Sequence, residues 1–96
     1  MAWVFEGEVV EWRGPAPYLF VVMPVADSED LKEASRALAY WGQVPVTARI
    51  GATEFATALF PKGGRYLVPL KAAVRLTERL AEGDVVVVRL EVRAGR

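Results

Sequence analysis

The chain reads as mainly β with two short helices, folded into one barrel whose two halves each run strand, strand, helix, strand. Three observations point there. Short runs of alternating or continuous apolar residues are bounded by glycine and proline, the pattern of strands between turns. Two other stretches read as helices: one opens at Asp27–Ser28 and spaces apolar residues three and four apart, and one, rich in basic residues, follows Pro69 over 70–81. The order of parts also occurs twice. "YLFVVMPVA" from residue 18 is echoed by "RYLVPLKAA" from residue 65, and helix and glycine then lead into "VPVTARI" and "VVVVRLE". The echo is structural more than literal, because Pro24 to Gly42 is a longer span than Pro69 to Gly83. Two ββαβ halves closing one barrel leave no open sheet edge to template aggregation.

Taken in order, residues 2–13 form a first strand with Trp3, Phe5 and Val9 on one side and Val4, Glu6, Glu8, Val10 and Trp12 on the other. Gly7 marks a bulge or a close backbone approach. "RGPAP" at 13–17 is a turn, since two prolines and a glycine do not fit inside a ladder. "YLFVVMP" at 18–24 is a buried strand stopped by Pro24. Asp27 or Ser28 caps the first helix, Glu29 and Asp30 suit the positive end of its dipole, and Gly42 closes it. Its apolar stripe is Leu31, Ala34, Ala37 and Leu38. A strand at 44–50 turns at Gly51-Ala52-Thr53 into a partner at 54–60. "PKGG" turns again into a strand at 65–69. The second helix covers 70–81, and Glu82-Gly83-Asp84 leads to a last strand with Val86, Val88, Leu90 and Val92 on one face.

Ninety-six residues make one domain, 1–96, and a 53% apolar share supplies its core. No apolar run approaches the roughly 20 residues that span a bilayer. "MAWVFEGEVVEW" has no basic leader region and carries Glu6, Glu8 and Glu11, which points to the cytoplasm. Cysteine and histidine are both absent. That removes disulfides, thiol nucleophiles, histidine triads and the usual zinc ligands, so neither a metal nor a cofactor is expected. Asparagine is missing too and Gln43 is the lone glutamine, a bias shared by thermophiles and by alanine- and arginine-rich genomes. The net charge is zero, yet residues 1–48 hold three basic and seven acidic groups, net −4, and residues 49–96 hold nine and five, net +4. Such a split marks an oriented binding surface or two mutually attracting halves.

The segments "WGQVPVTARIG", "TALFP", "GGRYLVPLKAAVR" and "EGDVVVVRLEV" cover much of the chain. Trp41-Gly42, Leu59-Phe60-Pro61, Pro69, Lys71-Ala72-Ala73-Val74-Arg75 and Gly83-Asp84 together resemble the prokaryotic family called domain of unknown function 1905. The resemblance implies a double-split β-barrel, a fold shared with DNA-binding regulators of the AbrB and MazE type, and no established activity. Gly64-Arg65, Pro69, Arg75 and Gly83-Asp84 also resemble the AbrB half-barrel, with a longer stretch between Pro69 and Gly83. Those regulators pair two identical chains. Here the first half has an acidic helix and no matching basic turn, so the symmetric basic surface suited to a palindromic site is missing.

The candidate ligand-binding residues are Trp41, Lys62, Arg65, Tyr66, Lys71 and Arg75. Lys71 and Arg75 stand one helical turn apart, as do Arg75 and Arg79, and with the Lys62–Arg65 turn they can hold a phosphate or carboxylate. The plain alternative is a solvated face whose charges Glu78 and Glu82 neutralise. Trp41 and Tyr66 can line a pocket mouth, or Trp41 can seal the barrel end through its indole N–H. Glu6 and Glu8 share a strand face, an exposed arrangement unless a cleft shifts one of them. No serine has an activating histidine, and no phosphate-binding glycine loop occurs. No catalytic residue is therefore expected. The leading expectation is a non-catalytic barrel that binds a small anionic ligand or a protein partner. The alternatives are a nucleic-acid-binding regulator, which a pI near 6.3 disfavours, and a purely structural or oligomerising module.

Overall fold

The computed structural model describes residues 2–13, 15, 18–36 and 43–93. In chain order the elements are β1 (Ala2–Trp12), β2 (Tyr18–Val22), α1 (Val25–Ala34), β3 (Val44–Ile50), β4 (Thr53–Lys62), β5 (Arg65–Pro69), α2 (Ala72–Glu78) and β6 (Val85–Val92). The strands close into an antiparallel barrel in the order β1-β2-β5-β4-β3-β6.

Alternation works as expected on β1, β3 and β6. Trp3, Phe5 and Val9 of β1 are buried while Val4 and Trp12 are exposed; Val88 and Leu90 of β6 are buried while Val85 and Val87 are exposed. Burying a valine or leucine in this way stabilises by about 1.5–3 kcal/mol per side chain. β1 is long enough to serve two neighbours. It pairs with β6 over residues 2–8 and with β2 over residues 9–12. At the changeover, Val9 N–H donates to the Asp84 carbonyl and Gly83 N–H donates to the Val9 carbonyl, each at 2.8 Å. The Gly83-Asp84 turn thus satisfies the backbone of β1 where the ladder switches partner. Gly7 lies just before that point, and a Cβ there would come within 2.6 Å of both Val21 Cγ1 and the Val22 carbonyl oxygen. It is a close approach, not a bulge.

Several boundaries differ from expectation for physical reasons. β4 runs on through Pro61 and Lys62, leaving only Gly63 and Gly64 in the turn. Both have positive φ, +60° and +81°, as a two-residue primed hairpin turn demands, so no further residues are needed to reverse the chain. α1 begins at Val25 with Pro24 as its cap residue and no side-chain cap. Ser28 lies inside the helix instead, because its hydroxyl is used elsewhere. It donates to the Met23 carbonyl at 3.4 Å and accepts the N–H of Tyr66 at 3.1 Å, joining α1 to β5. In the expected stripe Leu31 is buried but Ala34 is exposed; Ala37, Leu38 and the Gly42 cap lie outside the described residues. α2 is shorter than 70–81. Leu70 N–H is held by the Leu19 carbonyl at 3.0 Å, and Arg79 at φ +55° ends the helix in a left-handed cap. Trp3 ties β1 to α1: its Nε1–H donates to Asp30 Oδ2 at 3.0 Å.

Candidate ligand-binding site

The residues singled out from sequence do not form one site. Lys62 and Arg65 face each other as cross-strand partners at the tip of the β4–β5 hairpin. Tyr66, the next residue, is 6% exposed and belongs to the core, where burial pushes its hydroxyl pKa upward. Lys71 is the exposed cap residue of α2. Arg75 lines a separate depression with Glu11, Tyr18, Leu80 and Glu82. Arg79 has left the helix, so it shares no helical face with Arg75. Among the described residues Glu78 and Glu82 make no ion pair with Lys71, Arg75 or Arg79. Glu78 accepts a hydrogen bond from Thr53 at 2.5 Å, and Glu82 pairs with Arg13 at 3.2 Å. Trp41 lies outside the described residues.

What Lys62 and Arg65 do join is a cleft of about 590 Å³ between the hairpin and α1. Ser28, Glu29, Lys32 and Arg36 form one wall, and Pro61 to Tyr66 form the other. Lys32 follows Ser28 by four residues, which places the two on one side of the helix, and Arg36 lies just past the helix end at Ala34. Sequence alone does not single out these two cations, because the α1 segment is net acidic. The four-residue spacing from Ser28 was the available signal, but only the hydrogen bond from Tyr66 to Ser28 reveals which side faces β5.

The cleft's electrostatics are unbalanced. Arg36 pairs with Glu33 at 2.9 Å, both well exposed, and Glu29 also lines the wall. Among the described residues Lys32, Lys62 and Arg65 make no ion pair. Like charges set directly across a ladder are destabilising, and Lys62 and Arg65 are so set. Beside them, a Cβ at Gly63 or Gly64 would meet nothing within 4 Å, so the turn backbone lies open.

The same hairpin tip borders a second, apolar groove of about 630 Å³ on the outer face of the barrel. Val10, Trp12, Phe20, Val22, Phe60 and Leu67 line it, with Lys62, Gly63 and Arg65 at one edge and Glu11, 3.5 Å from Arg13, beside Trp12. The continuous apolar run of β2 reads as a strand buried on both faces. The barrel buries only Leu19 and Val21, and leaves Phe20 and Val22 on the outside.

Glu6 and Glu8 are both exposed and stand opposite Val87 and Val85. No described helix is long and apolar enough to cross a membrane.

A family profile described as "Domain of unknown function (DUF1905)" matches residues 5–90. The chain belongs to the DUF1905 family. Comparison with curated proteins finds no match. In this DUF1905 chain several of the residues that carried the resemblance build the barrel: Leu59 fills the core, Pro69 ends β5, and Gly83-Asp84 holds β1. Phe60 faces the outer groove.

Proposed function

We propose that this protein is a non-catalytic binding module for an anionic ligand, with Lys62 and Arg65 as the centre of the site. The observation that carries the reading is the cross-strand cation pair with no carboxylate partner among the described residues, bordering two grooves. An arginine and a lysine held side by side offer a carboxylate or phosphate a forked donor and a point charge, which are strong hydrogen bonds to an ion. Lys32 of the facing helix adds charge, and Arg36, just past the helix end, lines the same cleft while paired with Glu33. The absence of cysteine and histidine and the open setting of Glu6 and Glu8 support binding without chemistry.

A double-split barrel of two related ββαβ halves is the framework we propose. Exchanging β1 with β4, β2 with β5 and β3 with β6 maps the strand pairings onto themselves, which supports it. The halves differ at the tips that would correspond. The first half's turn carries Arg13, paired with Glu11 and Glu82, whereas the second carries Lys62 and Arg65, which make no ion pair among the described residues. One cationic tip suits a small anion or an acidic partner in the cytoplasm better than a symmetric duplex.

The test is a thermal-shift and calorimetric screen against citrate, inorganic phosphate, nucleotides and a short DNA duplex, at low and physiological salt. The expected result is saturable 1:1 binding of a small anion that Lys62→Ala/Arg65→Ala abolishes. DNA binding that falls steeply with salt would replace this reading with the regulator. A null result across the screen would leave the structural module.

A further inference from the structure

We infer that the ligand is an amphiphile: an anionic head on Lys62 and Arg65 and an apolar body along the outer groove. This rests on the anion-binding reading and names the ligand class for that site.

The ladder registers define the groove. Trp12 stands opposite Tyr18; Val10 opposite Phe20, and Phe20 opposite Pro69; Val22 opposite Leu67, and Leu67 opposite Phe60; then Lys62 opposite Arg65. Three apolar rows thus end in one cationic row. Successive same-face rows are two residues apart, so the distance from the Trp12 row to the Lys62 row is about 20 Å. The aromatic rings form a connected surface: Tyr18 and Phe20 have centroids 5.3 Å apart, and Phe20 and Phe60 meet edge-on at 5.3 Å.

This distribution matches what a small-molecule site needs, namely an apolar wall with a few polar groups converging at one place. A volume near 630 Å³ lies within the range of such sites. Glu11 beside Trp12 is paired with Arg13, so the charge without an ion pair in the lining is the cationic row at the other end, which selects a ligand with its charge at one end. A purely polar anion would leave Trp12, at 52% exposure, and the neighbouring rows in water. An uncharged chain would leave the cation pair uncompensated. A long-chain carboxylate satisfies both.

The experiment titrates the protein with acetate, octanoate, dodecanoate, octanol and citrate, following backbone amide and tryptophan indole shifts by NMR. Octanoate and dodecanoate are expected to shift the Trp12 indole and the Gly63 and Gly64 amides together, saturably. Affinity should rise about two- to fourfold per added methylene. Octanol should bind at least about tenfold more weakly than octanoate, the step expected of a lost charge-assisted contact. Phe20→Ser should weaken octanoate and leave citrate unchanged. Should that variant not fold, Trp12→Ser reads the same groove from an exposed position. Citrate binding with no dependence on chain length would overturn the amphiphile while sparing the anion site. Failure of citrate and dodecanoate alike would overturn both. Shifts on this face that track protein concentration without ligand would place a second copy there and overturn the inference.

Discussion

The barrel has two outer faces that obey different rules. On the face made by β6, β3 and the adjoining parts of β1 and β4, outward residues are mixed: Val4 stands opposite Arg89, Glu6 opposite Val87, and Thr47 opposite Glu91. On the face made by β2, β5 and the other ends of β1 and β4, three successive rows are apolar. Each face also contains a cation pair set directly across a ladder. Arg49 faces Arg89 on the first, but Glu54 stands opposite Arg49 and Glu91 lies 3.7 Å from Arg89. Lys62 faces Arg65 on the second with no such compensation among the described residues. The fold therefore sets carboxylates against one like-charged pair and leaves the other, beside the apolar rows, without an ion pair among the described residues. Exposed apolar patches of this kind mark binding surfaces, whereas single exposed valines such as Val87 need no explanation.

The comparison breaks first if inside and outside are assigned wrongly. Leu90→Ala, on the inner side of β6, is expected to cost about 2–5 kcal/mol, while Val87→Thr on the outer side stays within about 0.5 kcal/mol. Urea denaturation of the two variants checks this. Next in size is the link between α1 and the hairpin strand. Ser28→Ala removes the acceptor for the buried Tyr66 N–H and should cost about 1–3 kcal/mol, with amide exchange at Tyr66 rising selectively. On the apolar face, a double-mutant cycle through Phe20→Ala and Phe60→Ala should give a coupling of about 0.5–1.5 kcal/mol, the range for an edge-on aromatic pair. The cation pair gives a smaller effect of opposite sign. Lys62→Glu turns a repulsive cross-strand pair into an attractive one and should stabilise the unliganded protein by about 0.2–1 kcal/mol, less at high salt. Arg49→Glu on the compensated face should give less. Smallest is the effect of Tyr66. Its pKa is raised above 10.0 by burial, so the fold favours the neutral phenol. Its contribution is whole below pH 10 and is lost as pH rises through the folded value. Tyr66→Phe should flatten that loss relative to wild type.

Much of the barrel was legible because strand alternation is a local property. On β1 Trp3, Phe5 and Val9 are buried as alternation predicts, and on β6 Val88 and Leu90 are buried while Val86 and Val92 on the same face are half-buried. The proline after each second strand and the glycines between strands located the turns, and only end effects such as the αL cap at Arg79 escaped, since a non-glycine residue there breaks the usual signal. The site was less legible. Lys62 and Arg65 stand out by charge, but that neither makes an ion pair among the described residues is set by the tertiary placement of the carboxylates, with Glu78 held by Thr53 and Glu82 by Arg13. Lys71 and Arg75 sit near them in sequence and apart from them in the fold, because Pro69 and Leu70 carry the chain across before α2 begins. The outer groove was hidden in plain sight: Phe20, Val22, Leu67 and Phe60 are apolar residues in strands, and nothing local distinguishes an apolar residue facing a groove from one facing the core.

The most direct test of the central claim is a melting comparison of wild type with Lys62→Ala/Arg65→Ala, each in dodecanoate-free buffer and at saturating dodecanoate below its micelle concentration. Without ligand, relief of the cross-strand repulsion should make the variant the more stable protein. With ligand at 100 times its dissociation constant, wild type should gain about 2.7 kcal/mol, several degrees in a chain this small, and the order should reverse. Equal shifts for both proteins, or a variant less stable than wild type in the absence of ligand, would contradict a cation pair held open for an anion.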